Sequence, residues 1–152
     1  MTLPRTCLAL LSLTTIASSA FISESACAAS INWDKRLEKA NQQLSIGEVD
    51  KAIAMLSDEV KKHPEAGPPH VALGRALKSK GRRSDAKSEF KRSTEVDPGY
   101  ADAFYELGAM QDNDGEWQAA VSSFEQYLQL APDSDRAKSV SERIRNCKEK
   151  LD

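Results

Sequence analysis

The sequence has few aromatic residues and almost no net charge. Aromatic side chains make up 6% of the 152 residues, and 21 basic residues stand against 23 acidic ones. This balance argues against attraction of nucleic acid or another polyanion. The commonest residues are Ala, Ser, Leu, Lys and Glu, a profile that favours helices over strands. The composition therefore predicts an all-α chain that forms one domain or one short repeat array.

The first residues have the layout of a secretory leader. A single basic residue, Arg5, precedes an uncharged, mostly apolar stretch from Cys7 to Ile22, and small residues follow. This order predicts a signal peptide over residues 1–28 that is cleaved after Ala28, with Ala20 as an earlier alternative. We therefore expect an exported protein that is periplasmic or secreted and of bacterial origin.

Two other interpretations of the leader stay open. Cys27 follows small residues and could be the acylated first residue of a bacterial lipoprotein, although Glu24 departs from the motif of that class. The stretch from Cys7 to Ile22 could also be a retained anchor, but it is short and contains several Ser and Thr residues. Contact with a membrane is expected only if Cys27 is lipidated.

Cysteine is scarce, with three residues in the chain. Removal of the leader after Ala28 would leave Cys147 alone, which excludes an internal disulfide framework. We interpret Cys147 as a half-buried residue of a terminal helix, with an intermolecular disulfide as the alternative.

Landmark residues recur along the chain with an offset of 34 residues. Two copies share Leu73-Gly74 with Leu107-Gly108, Gly81 with Gly115, Ala86 with Ala120, Phe90 with Phe124, and Pro98 with Pro132. A more diverged copy precedes them, with Ala40, Gly47, Ala52, Leu56 and Pro64 in the same phase. Five landmarks in fixed phase indicate a true internal repeat.

The landmarks resemble the tetratricopeptide repeat family, whose repeat has the same length. The matching motifs run His70-x-x-Leu73-Gly74-x-x-Leu77 and Phe104-x-x-Leu107-Gly108-x-x-Gln111. The resemblance implies a short α-solenoid of three helix-turn-helix repeats at 33–66, 67–100 and 101–134. A lead-in at 29–32 precedes them and a capping helix within 135–152 follows, which makes seven helices. The first copy departs from the motif, because Arg36, Lys39 and Gln43 occupy slots that would be aromatic or Leu.

Glycine and proline mark the predicted helix boundaries. Between the two segments of each unit stands a glycine, which readily adopts the positive φ that often ends a helix: Gly47, Gly81 and Gly115. After each second segment stands a proline, which cannot continue a helix: Pro64, Pro98 and Pro132. The small residues Ala40, Gly74 and Gly108 would let a partner helix approach closely.

The residues favour no catalytic or metal site. His63 and His70 have no cysteine or acidic cluster with metal-ligand spacing around them. His70 occupies a position that is aromatic in the motif, so we interpret it as a side chain packed against the partner helix or at the rim of the core. Asp112-Asn113-Asp114 lacks the later ligands of a calcium loop and is interpreted as part of a turn. We expect no enzyme activity, no cofactor and no bound metal.

The family resemblance implies a concave groove lined by the first helix of each repeat. The groove residues it implies are Leu37, Asn41, Leu44, Val71, Arg75, Lys78, Tyr105, Glu106, Ala109 and Asp112. Its middle would be basic and its far wall acidic, which suits a peptide with apolar anchors and mixed charge. One branch of the family clamps C-terminal carboxylates, but only Asn41 fits that clamp, because Ala72, Asp102 and Glu106 replace its other residues.

These features predict a non-catalytic adaptor that binds a protein or peptide in the groove during envelope assembly, secretion or complex biogenesis. One alternative is a membrane-tethered assembly factor, lipidated at Cys27, that contacts a larger machine through its convex face. Another is a regulatory subunit of an enzyme. No nucleic-acid partner is expected.

Overall fold

The computed structural model describes residues 32–152, and this part consists of α-helices without strands. The predicted signal peptide, its Cys27 and most of the predicted lead-in lie outside the described residues. The seven helices are α1 (Trp33–Ser45), α2 (Val49–Lys62), α3 (Gly67–Ser79), α4 (Arg83–Val96), α5 (Ala101–Asn113), α6 (Trp117–Leu130) and α7 (Ala137–Glu149). Among these residues, no helix combines the length and apolarity needed to span a bilayer.

The helices repeat with the period of the sequence. We call α1, α3 and α5, each of 13 residues, the first helices, and α2, α4 and α6, each of 14 residues, the second helices. Each first helix starts 34 residues after the previous one, and so does each second helix. The prediction of an all-α solenoid with three helix pairs and a terminal helix is confirmed.

The turn inside each pair has the predicted left-handed residue. Gly47, Gly81 and Gly115 have φ values of 82°, 81° and 77°. An L-residue with a side chain is strained in this region, whereas glycine is not. The turn therefore lets each second helix fold back beside its first helix.

The two helices of a pair approach most closely where a glycine faces a phenylalanine. A Cβ atom at Gly74 would stand 2.5 Å from the Phe90 ring, and one at Gly108 would stand 2.8 Å from the Phe124 ring. Both rings are completely buried. The first pair uses Ala40 with the smaller Leu56 at these positions, and both are buried. Close approach thus accounts for the small residues of the repeat.

The buried residues form two clusters that meet at α5. Ala103, Leu107 and Met110 belong to the first cluster, which extends back to α1. Phe104 and Tyr105 pack instead against the second cluster, which extends to α7. No pair buries its apolar side alone, so each must stack on its neighbours.

Helix α7 closes the second cluster. Val140, Ile144 and Cys147 are buried on one side of it, while the intervening residues are mostly exposed. The description of Cys147 as half-buried is wrong, because its side chain is completely buried and its Sγ lies 3.4 Å from an Asp112 carboxylate oxygen. Burial, together with this carboxylate, raises the pKa of the thiol. The intermolecular disulfide is disfavoured, because the thiol does not reach the surface.

Polar residues replace apolar ones on the outer side of the first pair. Arg36 Nε donates to Glu59 Oε2 over 2.6 Å. One and two repeats later, the place of Arg36 is taken by His70, which is buried, and Phe104, which is half-buried. Terminal repeats of a solenoid need a polar outer face. The polar residues of the first copy thus lie at the N-terminal end of the described solenoid.

Candidate functional site

The candidate site is the surface formed by the side-by-side first helices, which we call the groove face. Of the ten predicted residues, Asn41 and Lys78 are exposed and Leu44, Arg75, Tyr105, Ala109 and Asp112 are half-buried. The other three, Leu37, Val71 and Glu106, are 7%, 0% and 7% exposed. Leu37 and Val71 belong to the core, so their prediction as groove-lining residues is wrong. Tyr105, at the equivalent position of α5, is half-buried.

The charges of α3 and α5 pair with one another. Arg75 Nε donates to Glu106 Oε1 and Arg75 Nη2 donates to Asp102 Oδ2, both over 2.8 Å. Lys78 Nζ donates to Glu106 Oε2 over 2.7 Å. These three bonds join helices that are about 30 residues apart in the chain. The basic middle and the acidic wall thus form one network.

Burial and hydrogen bonding act in opposite directions on Glu106. Burial alone would raise the pKa of its carboxyl, but hydrogen bonds from Lys78 and Arg75 outweigh this and hold the pKa below its ordinary value. Burial alone would likewise lower the pKa of Arg75, and its bonds to Asp102 and Glu106 raise it. The expectation that these charges are open to a partner therefore needs correction, since they already neutralise each other.

A second set of ion pairs joins α5 to the α7 region. Arg136 Nη1 donates to Asp102 Oδ1 over 3.1 Å, and Arg143 Nη2 donates to Asp112 Oδ2 over 2.8 Å. Asp102 therefore binds a cation on either side, Arg75 and Arg136. The prediction omitted Asp102 as a pairing residue and both arginines. The sequence could have indicated these ion pairs, because their oppositely charged residues lie 31 or 34 positions apart, close to the length of one repeat.

The aromatic part of the groove face is partly covered. The Tyr105 ring packs against Tyr127, with centroids 5.5 Å apart, and the Arg136 guanidinium lies 4.8 Å from the Tyr105 centroid. Tyr100, which the prediction also missed, is half-buried and packs against the first cluster. Its pKa is raised by burial and then by the charge of Asp102, with a smaller contribution from Asp34. Tyr100 therefore lies near carboxylates of both α1 and α5.

On its groove side, helix α1 differs from α3 and α5, because its charged side chains form no ion pairs with other described residues. Asp34, Glu38 and Asn41 follow helical spacing and all three are exposed. Within residues 32–152, neither carboxylate lies within ion-pair distance of a basic group. Among the described residues, this end of the groove face is therefore acidic and has no ion-pair partner.

The remaining polar clusters are structural. His70 is 4% exposed, with Nδ1 2.7 Å from Glu89 Oε2 and Nε2 3.2 Å from the Pro64 carbonyl oxygen, so it is packed as predicted. Asp114 binds Arg83 and Lys87. In the described part of the chain, no three His, Cys, Asp or Glu residues are grouped as metal ligands.

Two shallow clefts lie away from the groove face. One of about 220 Å³ lies between α1 and α2 and is bordered by Arg36, Ala40, Met55 and Glu59. The other, of about 310 Å³, lies where Ile53 and Ser57 of α2 meet Leu73, Leu77 and Glu89. Neither contains a set of groups suited to acid–base or nucleophilic chemistry.

Two family models match parts of the sequence. Residues 71–135 match the model described as tetratricopeptide repeat. The fold is a tetratricopeptide repeat solenoid. Residues 34–98 match a second model, described as bacterial transcriptional activator domain. No curated protein sequence matches the chain significantly.

Solved structures superpose on most of the chain. The Sgt2 domain from Aspergillus fumigatus is 20% identical, with 80% of each chain covered and a TM-score of 0.67. The type III secretion chaperone SycD of Yersinia enterocolitica, in complex with a peptide of the translocator YopD, is 15% identical, with 87% of this chain and 99% of that chain covered and a TM-score of 0.68. The first repeat domain of Spaghetti (RPAP3), bound to an HSP90 peptide, is 19% identical, with 75% and 88% covered and a TM-score of 0.66. At these identities the likeness establishes the fold.

Proposed function

We propose that this protein is a non-catalytic interaction scaffold that binds a peptide or a helix of a partner protein on its groove face. The observation that carries the proposal is the ion-pair network of Arg75, Lys78, Asp102 and Glu106, which joins α3 to α5. A surface that is already ordered loses little conformational entropy on binding. Two similar structures hold peptides, which supports the same use of this fold here.

The chemistry of the groove face favours a particular kind of ligand. Lys78 is paired but its side chain is 40% exposed, and Asn41 is exposed, so both can donate hydrogen bonds to a peptide backbone. Tyr105 and Ala109 supply a small apolar area. A C-terminal carboxylate is a poor ligand, because Arg75 and Lys78, the basic groups at the centre of this surface, are already paired with Asp102 and Glu106.

The leader places this activity outside the cytoplasm in our proposal. A signal peptide over residues 1–28 would deliver the scaffold to the periplasm or the medium, for a role in envelope assembly, secretion or complex biogenesis. The alternative is a lipoprotein tethered through Cys27, and an enzyme's regulatory subunit remains a third role. Intact mass of the exported protein separates the first two, because an acylated Cys27 supports the lipoprotein and a chain that starts at Ala29 excludes it.

The test is a cross-linking pull-down of the exported protein from its own cells. The variant Asn41→Arg/Ala109→Arg places two long cations on the groove face without breaking an ion pair of the network. Charge reversal at Arg75 is a poor choice, because it would put a carboxylate beside Asp102 and Glu106 and destabilise the fold. Gln126→Arg/Gln129→Arg, which adds the same two charges at exposed positions of α6, is the matched control.

The expected result is one protein captured by the wild type and the control but lost in the double variant, with equal helical content in all three. Equal capture by the double variant would place the binding surface elsewhere and overturn the proposal. Circular dichroism and thermal melting show whether the double variant is folded.

A further inference from the structure

Helix α1 repeats the acidic half of an ion-pair site that is complete between α3 and α5. Asp34 and Glu38 stand two repeats before Asp102 and Glu106, at equivalent positions of the first helix. Equivalent positions face the same way because the helices repeat with the same period and length. The influence of both Asp34 and Asp102 on the Tyr100 phenol agrees with this placement.

The complete site shows what such a pair of carboxylates binds. In α5, Asp102 and Glu106 receive Arg75 and Lys78, two cations three residues apart on the preceding first helix. Helix α1 has no preceding first helix in residues 32–152, and its two carboxylates are exposed. Residues 1–31 contain one basic side chain, Arg5, and no basic pair with the spacing of Arg75 and Lys78.

The outer side of the first pair also has an open cleft. In the second pair, Leu73 and Glu89 line a cleft of about 310 Å³ whose other wall is Ile53 and Ser57 of the preceding second helix. One repeat earlier, the equivalents of Leu73 and Glu89 are Lys39 and Met55, and both border the open cleft of about 220 Å³ between α1 and α2. A preceding helix pair would thus contact α1 through its first helix and this cleft through its second.

We propose that the N-terminal end of the solenoid is a docking surface for a helical hairpin of a partner protein, one helix of which carries two basic residues three positions apart. The basic pair binds Asp34 and Glu38 in the way that Arg75 and Lys78 bind Asp102 and Glu106. The second helix of the hairpin lies in the cleft beside Met55. The partner in effect adds a repeat at the N-terminal end of the solenoid, whereas the ligand of the proposed function lies along the groove over α3 and α5.

The test uses a synthetic peptide of residues 67–96 as the probe, because this segment forms α3 and α4 and carries Arg75 and Lys78. Its binding to the full chain is measured by fluorescence anisotropy at low salt. The protein variant Asp34→Lys/Glu38→Lys is compared with the control Asp133→Lys/Asp135→Lys, which makes the same charge change at two exposed residues before α7. A second probe carries Arg75→Glu/Lys78→Glu.

We expect the Asp34→Lys/Glu38→Lys variant to bind the first probe at least ~10-fold more weakly than the wild type and the control. The same variant should bind the charge-reversed probe better than the wild type does. Binding should also survive in Ala109→Arg alone, which changes the groove on α5 and leaves α1 intact, so that failure here and failure of the groove proposal are told apart.

Three outcomes would overturn the proposal. The first probe could fail to bind the wild-type protein. It could also bind the Asp34→Lys/Glu38→Lys protein as tightly as the wild type, which would indicate that it replaces α3 within the solenoid. The wild-type chain could also self-associate in light scattering through Asp34 and Glu38, in which case the occupant is a second copy. Circular dichroism of each variant establishes that α1 is still folded.

Discussion

The Nε of Arg75 in α3 lies 2.8 Å from a carboxylate oxygen of Glu106 in α5, and this contact joins two neighbouring repeats. Glu106 is 7% exposed, so it depends on Arg75 and on Lys78 for its solvation. Ion pairs of this kind cost much desolvation, and removal of one partner leaves the others uncompensated. The pairing gives the groove face a fixed arrangement rather than a set of independent charges.

Glu106→Gln should destabilise the protein. The free energy of unfolding is expected to fall by about 1–3 kcal/mol, because Arg75 and Lys78 both lose a charged acceptor. Urea denaturation followed by circular dichroism measures this change. The control is Glu125→Gln, whose pair with Lys148 is half-exposed and should contribute less than about 1 kcal/mol. An equal loss in both variants would contradict the role of burial.

The same carboxylate should make stability depend on acidity. Because the folded state holds the pKa of Glu106 below its ordinary value, its contribution is present above that value and is lost as pH falls through the folded pKa. Melting temperatures of the wild type should therefore drop below about pH 4.5, and Glu106→Gln should drop less steeply. Some slope should remain, since hydrogen bonds from Lys87 and Arg83 also lower the pKa of Asp114. Parallel curves for the two proteins would refute the prediction.

Gly74→Ala should be destabilising despite the better helix propensity of alanine. The new Cβ would stand 2.5 Å from the buried Phe90 ring, and such overpacking costs about 1–3 kcal/mol. The double variant Gly74→Ala/Phe90→Leu copies Ala40 and Leu56 of the first repeat. In the Phe90→Leu background, Gly74→Ala should therefore lower the free energy of unfolding by less than it does in the wild type. Additive effects in this double-mutant cycle would show that the two residues do not conflict.

Cys147 should react slowly with thiol reagents in the native protein. Its side chain is completely buried and the pKa of its thiol is raised, so little thiolate reaches solvent. The reaction is measured with a chromogenic disulfide reagent in a Cys7→Ser/Cys27→Ser background. Denaturation in urea should increase the rate by orders of magnitude. Fast labelling of the native chain would contradict the burial of Cys147.

The sequence alone determined the local plan of this protein. The glycines at 47, 81 and 115 and the prolines at 64, 98 and 132 end helices through backbone constraints that act within a few residues. Gly74 and Gly108 could be assigned to close helix contacts because they lack bulk and recur with the repeat, whereas the phenylalanine rings that face them are a finding of the structure. The seven helices follow from such local signals.

Only the tertiary structure decided which groove residues are open and which are satisfied. Leu37 and Val71 are buried while Tyr105, at the equivalent position of α5, is half-buried, because neighbouring helices cover each position to a different extent, which spacing along the chain does not specify. Arg75 meets Asp102 and Glu106, and Arg136 covers Tyr105, because the stacking of separate repeats brings them together. Periodicity determines which residues share a helix face, whereas contacts between helices depend on the register in which those faces pack.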